Sequence, residues 1–202
     1  MKTGILGGTF DPIHLGHLSI ALAARDELGL DEVLLMPAKV SPFKQSKKHA
    51  PDSDRIRMVE LAAEDLSRVR VSRWEIERNE VSYTYNTLDT LEREHPEIQF
   101  VFLMGTDSFL QLETWYHGKE LLRRFSFALA PRPGFQRSEY EKKLDRYRDQ
   151  YGAKVSVLRN EMIPVSSTDI RMRVKQGKSL RGLVPESVEQ YIYEHRLYQE
   201  IS

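Results

Sequence analysis

The densest chemistry in the chain lies near its start, in Gly7-Gly8-Thr9-Phe10-Asp11-Pro12-Ile13-His14-Leu15-Gly16-His17. Adjacent glycines let backbone N–H groups come close to a phosphate. A helix that opens just after them adds the positive end of its dipole. His14 and His17 are three residues apart, so on a helical turn they share a face. Two imidazoles placed there could donate to a phosphate. Two other readings compete. A histidine pair is most often ordinary surface or satisfied core. A zinc site needs more ligands, and the chain has neither cysteine nor an H-E-x-x-H sequence. The glycine pair ahead of the histidines favours phosphate. The pattern is neither G-x-G-x-x-G nor a Walker A loop, which counts against plain dinucleotide binding and P-loop hydrolysis.

A second cluster, Ser166-Ser167-Thr168-Asp169-Ile170-Arg171, has a related logic. Hydroxyls at a helix start sit beside unpaired N–H groups and make an anion cradle. Arg171 falls one turn later, within reach of the same anion. An N-cap followed by a solvated arginine would look the same.

These clusters need a scaffold. Lys2–Leu6, Glu32–Met36, Val69–Ser72, Gln99–Met104, Ser126–Ala130 and Lys154–Leu158 read as strands. Helices are expected near His17–Leu28, Asp54–Asp65 and Thr84–Glu94, with Ser53 and Ser82 where N-caps would stand. Strands separated by helices imply βαβ units, hence an α/β fold with a parallel sheet covered on both faces. In such a sheet, the turn after the first strand lies at the carboxyl edge, where ligands bind. Gly105-Thr106-Asp107-Ser108, after the fourth strand, lies there too. From Ser166 the chain reads as two more helices, about Thr168–Gln176 and Pro185–His195, with Pro185 suited to a first turn. Residues 1–202 are expected to form a single domain, with 166–202 a short C-terminal helical piece of it. Pro37–Ser53 reads as a long loop carrying Lys39, Lys44, Lys47, Lys48 and His49, and nothing from Val33 to Pro51 is acidic. A lysine cluster is usually a solvated face. Trp115–Gly118 reads as an aromatic loop following the fourth strand.

Composition bounds the rest. No cysteine means no disulfide framework, iron–sulfur cluster, thiolate zinc site or cysteine nucleophile. Lys plus Arg and Asp plus Glu each number 30, so the net charge is zero, which disfavours nucleic-acid and acidic-membrane binding. No apolar run approaches the roughly 20 residues of a spanning helix. The N-terminus reads as a strand and not a signal peptide, so the expected compartment is the cytoplasm.

His14-Leu15-Gly16-His17 resembles the H-x-G-H signature of the nucleotidyltransferase superfamily, and the longer string from Gly7 resembles its bacterial nicotinate-mononucleotide adenylyltransferase branch. Ser166–Arg171 is similar to the superfamily's second motif. Ser82-Tyr83-Thr84, Gly105-Thr106-Asp107-Ser108, Trp115-Tyr116 and Pro131-Arg132-Pro133-Gly134 resemble segments of that branch. The likeness runs from Lys2 to about Tyr198. One departure is Ser41-Pro42-Phe43-Lys44, where the family often has Pro-Pro-His-Lys.

The resemblance implies a Rossmann-like fold and transfer of AMP from ATP to nicotinate mononucleotide, with Mg²⁺ carried by ATP and no dedicated metal site. It implies that His14, His17, Lys44 and Arg171 are catalytic. It places ATP on Gly7, Gly8, Thr9, Phe10, Gly105, Asp107, Ser167 and Thr168 as well as on both histidines and Arg171. It places nicotinate mononucleotide on Gly8, Thr9, Lys44, Tyr83, Thr84, Trp115, Tyr116 and Arg132, with Trp115 stacked on the pyridine ring. Alternatives are a pantetheine-phosphate adenylyltransferase, a cytidylyltransferase, a non-catalytic nucleotide sensor or an inert scaffold. A homo-oligomer stays open.

Overall fold

The computed structural model describes residues 1–39, 49–78, 81–132, 134, 137–159 and 163–199. Six strands form one sheet: β1 (Lys2–Gly8), β2 (Glu32–Pro37), β3 (Val69–Val71), β4 (Gln99–Gly105), β5 (Ser126–Ala130) and β6 (Lys154–Val157). Their order is β3-β2-β1-β4-β5-β6, and every pairing is parallel. Chain order therefore reverses at β1, which lies between β2 and β4. That reversal opens a crevice at the carboxyl ends of β1 and β4, the usual ligand position in an open α/β sheet. The glycine pair ends β1, and Gly105 ends β4.

Both faces are covered. The helices are α1 (Leu15–Glu27), α2 (Asp52–Ala63), α3 (Trp74–Glu77), α4 (Thr84–Glu94), α5 (Thr106–Gln111), α6 (Gly118–Arg124), α7 (Arg137–Tyr151), α8 (Ser167–Lys175) and α9 (Glu186–Glu194). One core contains Ala21 and Ala24 of α1, Met58 of α2, Ile170 of α8 and Ile192 of α9 against Val33 and Leu35. The other contains Leu88 of α4, Phe109 of α5, Leu121 of α6 and Tyr147 of α7 against Phe102 and Phe127. This two-sided burial explains why the strands read as continuous apolar runs and do not alternate. The two tail helices share a core with α1 and α2. No described helix is long and apolar enough to cross a membrane.

Local chemistry differs from the sequence reading at several points. Ser53 lies inside α2, whose cap is Pro51 with no side-chain bond. Ser82 precedes the cap of α4, which is Tyr83; its hydroxyl accepts the Lys39 N–H at 3.1 Å instead. Pro185 is the cap of α9 and stands just before its first turn. Trp115 does not follow β4 directly, because α5 and a 3-10 turn (Leu112–Thr114) intervene. Helix α7 carried no sequence expectation. It buries only Tyr140, Leu144 and Tyr147, an i, i+4, i+7 stripe in an otherwise charged segment.

The turn from the 3-10 segment into α6 leaves no room at Gly118. A Cβ there would lie 2.3 Å from the Leu112 carbonyl oxygen and 2.6 Å from that of Glu113. Both are backbone atoms and cannot rotate aside. Gly118→Ala is therefore expected to cost about 1–3 kcal/mol of stability, as overpacking does. The loss should appear as a lower denaturant midpoint, and an unchanged midpoint would refute it.

Candidate active site

The β1–α1 turn is built around the two histidines. His14 is the N-cap of α1 and His17 its third residue. His14 Nδ1 accepts the His17 N–H and His17 Nδ1 accepts the His14 N–H, each at 3.3 Å. This is a capping box made of imidazoles instead of Ser and Glu. Its consequence is chemical: with both Nδ1 atoms accepting, the neutral rings carry their protons on Nε2. The rings stack with centroids 3.6 Å apart. Gly16 is needed for this approach, since a Cβ would lie 3.1 Å from the His14 ring and 3.0 Å from the Ile163 carbonyl oxygen. Phe10, with φ of 47°, turns its buried ring edge-on to His17 at 4.9 Å.

The second cluster is stitched to the first. Ser166 caps α8 through the Asp169 N–H at 3.1 Å. Ser167 Oγ donates to the Pro12 carbonyl at 2.9 Å, and Arg171 Nη1 donates to the Asp11 carbonyl at 2.5 Å. The Asp11 side chain is buried and receives the Ala50 N–H at 3.1 Å and the Tyr198 hydroxyl at 2.7 Å. His49 Nδ1 lies 3.0 Å from its other oxygen. Burial, followed by the Asp11 charge, pushes the Tyr198 hydroxyl far above the ordinary tyrosine range. Arg55 of α2 holds the glycine turn from below. Its guanidinium donates to the carbonyls of Thr9 at 2.5 Å and Ala38 at 2.9 Å, and to Asp52 at 2.6 Å.

Two adjoining cavities open at this edge, of about 390 and 360 Å³. Both are bordered by Gly7, Phe102, Ser108 and Trp115. The polar one gathers His14, His17, Gly105, Asp107, Ser167, Thr168 and Arg171, as expected for a nucleotide. The aromatic one gathers Tyr83, Thr84, Trp115 and Tyr116. Three placements differ from expectation. Gly8 and Thr9, expected to serve both substrates, border only the aromatic cavity. Phe10 borders neither cavity, because its ring is spent supporting His17. Arg132, expected with the acceptor, borders the polar cavity, where it pairs with Asp107 at 2.9 Å. Lys44, expected in both roles, lies outside the described residues, as do Phe43, Lys47 and Lys48. Lys39 Nζ pairs with Asp52 at 2.8 Å.

The aromatic wall is anchored from behind. Glu113, two residues before Trp115, takes Arg146 Nη2 of α7 on both oxygens at 2.6 Å and the Tyr151 hydroxyl at 2.5 Å. The Tyr151 bond and the Arg146 and Lys143 charges hold its carboxyl below the usual range. Tyr116 is half exposed and packs on Tyr83 at 4.6 Å. Trp115 meets Phe102 edge-on at 6.3 Å. Sequence reasoning missed Asp11, Arg55, Glu113 and Tyr198. Asp11 lay in plain view within the first motif, whereas the other three act through partners that are distant in the chain. Among the described residues, no group of three or more His, Asp or Glu gathers as a metal site.

The chain is similar to known proteins in sequence and in fold. Residues 5–173 match the cytidylyltransferase-like family. A probable nicotinate-nucleotide adenylyltransferase of Exiguobacterium sibiricum is 43% identical over 198 residues, covering 98% of this chain and 99% of that protein. One from Lactiplantibacillus plantarum is 41% identical, covering 98% and 89%. In fold, the chain is similar to a Plasmodium falciparum nicotinic acid mononucleotide adenylyltransferase complexed with NaAD. Its TM-score is 0.82 at 20% identity, with 98% of this chain and 97% of that one covered. Sequence identity of this extent, over nearly the whole length of both chains, places this one in the cytidylyltransferase-like family, among the nicotinate-nucleotide adenylyltransferases.

Proposed function

We propose that the chain transfers AMP from ATP to nicotinate mononucleotide, giving nicotinate adenine dinucleotide and pyrophosphate. The observation that carries the reading is the pair of adjoining cavities. One is lined by imidazoles, a helix start and Arg171; the other is aromatic, and Gly7 and Trp115 stand at their border. ATP fits the first cavity and the pyridine nucleotide the second, so that the acceptor phosphate meets the α-phosphate at the border. The acceptor is a phosphate monoester, mostly dianionic at pH 7 given a second pKa of about 6. Its oxygen attacks the α-phosphorus, and the bond to the β-phosphate oxygen breaks. The attacking oxygen carries no proton, so the step needs neither a general base nor a covalent intermediate. What the protein supplies is alignment and charge stabilisation. The Nε2–H groups of His14 and His17 serve the α-phosphate and bridging oxygen. Arg171, the α8 start with Ser167 and Thr168, and Lys44 serve the departing phosphates. Gly105 and Asp107 serve the ribose. Mg²⁺ enters with ATP as part of the substrate. An acceptor panel with ATP tests the reading: pyrophosphate release with nicotinate mononucleotide, and not with phosphopantetheine or phosphocholine, is expected.

If His17 donates as charge develops, His17→Ala should lower kcat by about 10²-fold or more with little change in KM. Near-normal kcat would remove the imidazole from the mechanism. Arg171→Ala should raise the KM for ATP more than that for the acceptor, since a charge-assisted contact is worth about 1.5–3 kcal/mol. Unchanged ATP kinetics would leave Arg171 as a tie to Asp11 alone.

The acid and amide acceptors differ in one group. Backbone N–H groups at the α4 start favour a carboxylate and leave the amide's N–H₂ facing donors. An unpaired buried polar group costs about 1–3 kcal/mol, so the acid acceptor should be preferred. Trp115→Ala should weaken both acceptors while keeping their ratio. Equal kcat/KM for the two acceptors in the wild type would defeat this assignment.

A further inference from the structure

Glu75 has no part in the roles assigned above, yet it is 8% exposed and borders the aromatic cavity. On its other side is a smaller recess bordered by Arg78, Asp89 and Arg93. The Thr87 hydroxyl lies 2.6 Å from Glu75 Oε1 and 3.2 Å from the Tyr83 carbonyl. The Ser82 hydroxyl lies close enough to the Glu75 carboxyl to influence it, and Ser82 Oγ accepts the Lys39 N–H at 3.1 Å. One buried carboxyl thus meets residues on both sides of Tyr83 and Thr84, where α4 begins.

We propose that Glu75 is a positioning residue that fixes this helix start and sets whether the cavity admits an anionic ring substituent. The inference rests on the acceptor reading above. Its logic is the setting of the carboxyl. The Thr87 N–H already serves the Tyr83 carbonyl at 3.1 Å, so the Thr87 hydroxyl is free to donate to an ionised Glu75 or to accept from a protonated one. The tie to the helix start holds in either form, and the charge is decided by what surrounds the carboxyl.

The surroundings favour the neutral form. The nearby cations are engaged elsewhere: Lys39 with Asp52, Arg73 with Glu60, Arg93 with Asp89, and Arg78 with Glu94 and the Trp74 ring. Tyr83 and Tyr116 are the other titratable groups at the cavity. No ion pair reaches Glu75 among the described residues. Burial raises its carboxyl above the usual range, and the Thr87 and Ser82 hydroxyls only partly oppose this. An ionised Glu75 would repel a carboxylate on the acceptor ring, and a protonated one does not.

Steady-state kinetics of the wild type, Glu75→Gln and Glu75→Ala test this, with nicotinate and nicotinamide mononucleotides from about pH 6 to pH 9. The amide acceptor and the Gln variant cancel the titration of the acceptor phosphate, which all arms share. In Glu75→Ala, the KM for nicotinate mononucleotide should rise about tenfold, with the KM for ATP unchanged. Glu75→Gln, which can still donate to Thr87, should bind the acid acceptor as well as the wild type does at about pH 6. It should also lose any weakening at high pH that the wild type shows for the acid and not for the amide. An unchanged acceptor KM in Glu75→Ala overturns the proposal, as does about tenfold weaker acid binding in Glu75→Gln. If Glu75→Ala fails to fold, Glu75→Gln decides alone. A wild type that turns over no nicotinate mononucleotide overturns the acceptor reading and this inference together; normal turnover with indifferent variants overturns this inference only.

Discussion

A buried carboxylate is costly unless donors take up its oxygens. Asp11 is 2% exposed, and the Ala50 N–H and the Tyr198 hydroxyl meet one oxygen while His49 meets the other. Arg171 lies 3.8 Å from the carboxylate and bonds the Asp11 carbonyl directly. Four parts of the chain that are distant in sequence therefore converge on one residue: the first turn, the approach to α2, the start of α8 and the last described residues. Apolar packing brings α1, α2, α8 and α9 into one core, but packing alone does not say where the start of α8 points. The directional bonds to Asp11 and Pro12 do. They place the second signature against the first, and the polar cavity exists because of that placement.

Within that frame, the imidazole capping box shows how one local interaction can serve two ends. Each Nδ1 satisfies an orphan N–H at the head of α1, which any good cap would do. It also fixes the tautomer, so the outward nitrogen of each ring is a donor. An aspartate cap would have stabilised the helix without presenting any donor. Gly16 and Phe10 complete the device, one by leaving room for the His14 ring and the other by supporting His17 at its edge.

What could be read in the sequence follows from how local each signal is. The six strands are short apolar runs, and all six are present with ends shifted by a residue or two. Both signatures are helix starts, visible as hydroxyls and glycines at fixed offsets. The readings that failed depended on distant partners. Ser82 has the residue type of a cap, but its hydroxyl accepts the Lys39 N–H instead. Arg55 looks like any helix arginine until β1 and β2 turn their carbonyls toward it. Phe10 sits within the first motif, yet its backbone turns the ring inward against His17. Arg132 follows β5 by two residues, and Asp107 holds it at the polar cavity. Helix α7 escaped because three buried residues in a charged segment give little periodicity, although its Arg146 and Tyr151 anchor Glu113 behind Trp115.

The chain has equal numbers of acidic and basic residues, 30 of each, yet the site must attract two anionic substrates. Net charge cannot do this, so placement must. The α1 and α8 starts, the histidines, Arg132 and Arg171 supply positive potential along one edge. The carboxyls at that edge are each accommodated in a different way. Asp11 is buried and enclosed by donors. Asp107 is exposed and spends an oxygen on Arg132. Glu75 has no cation beside it among the described residues, and burial shifts it toward its neutral form. The difference matters for function. The first two arrangements surround the carboxyl with donors. The third leaves it without a cation and with burial favouring its uncharged form, and it stands at the cavity where the acid acceptor would bring a carboxylate of its own.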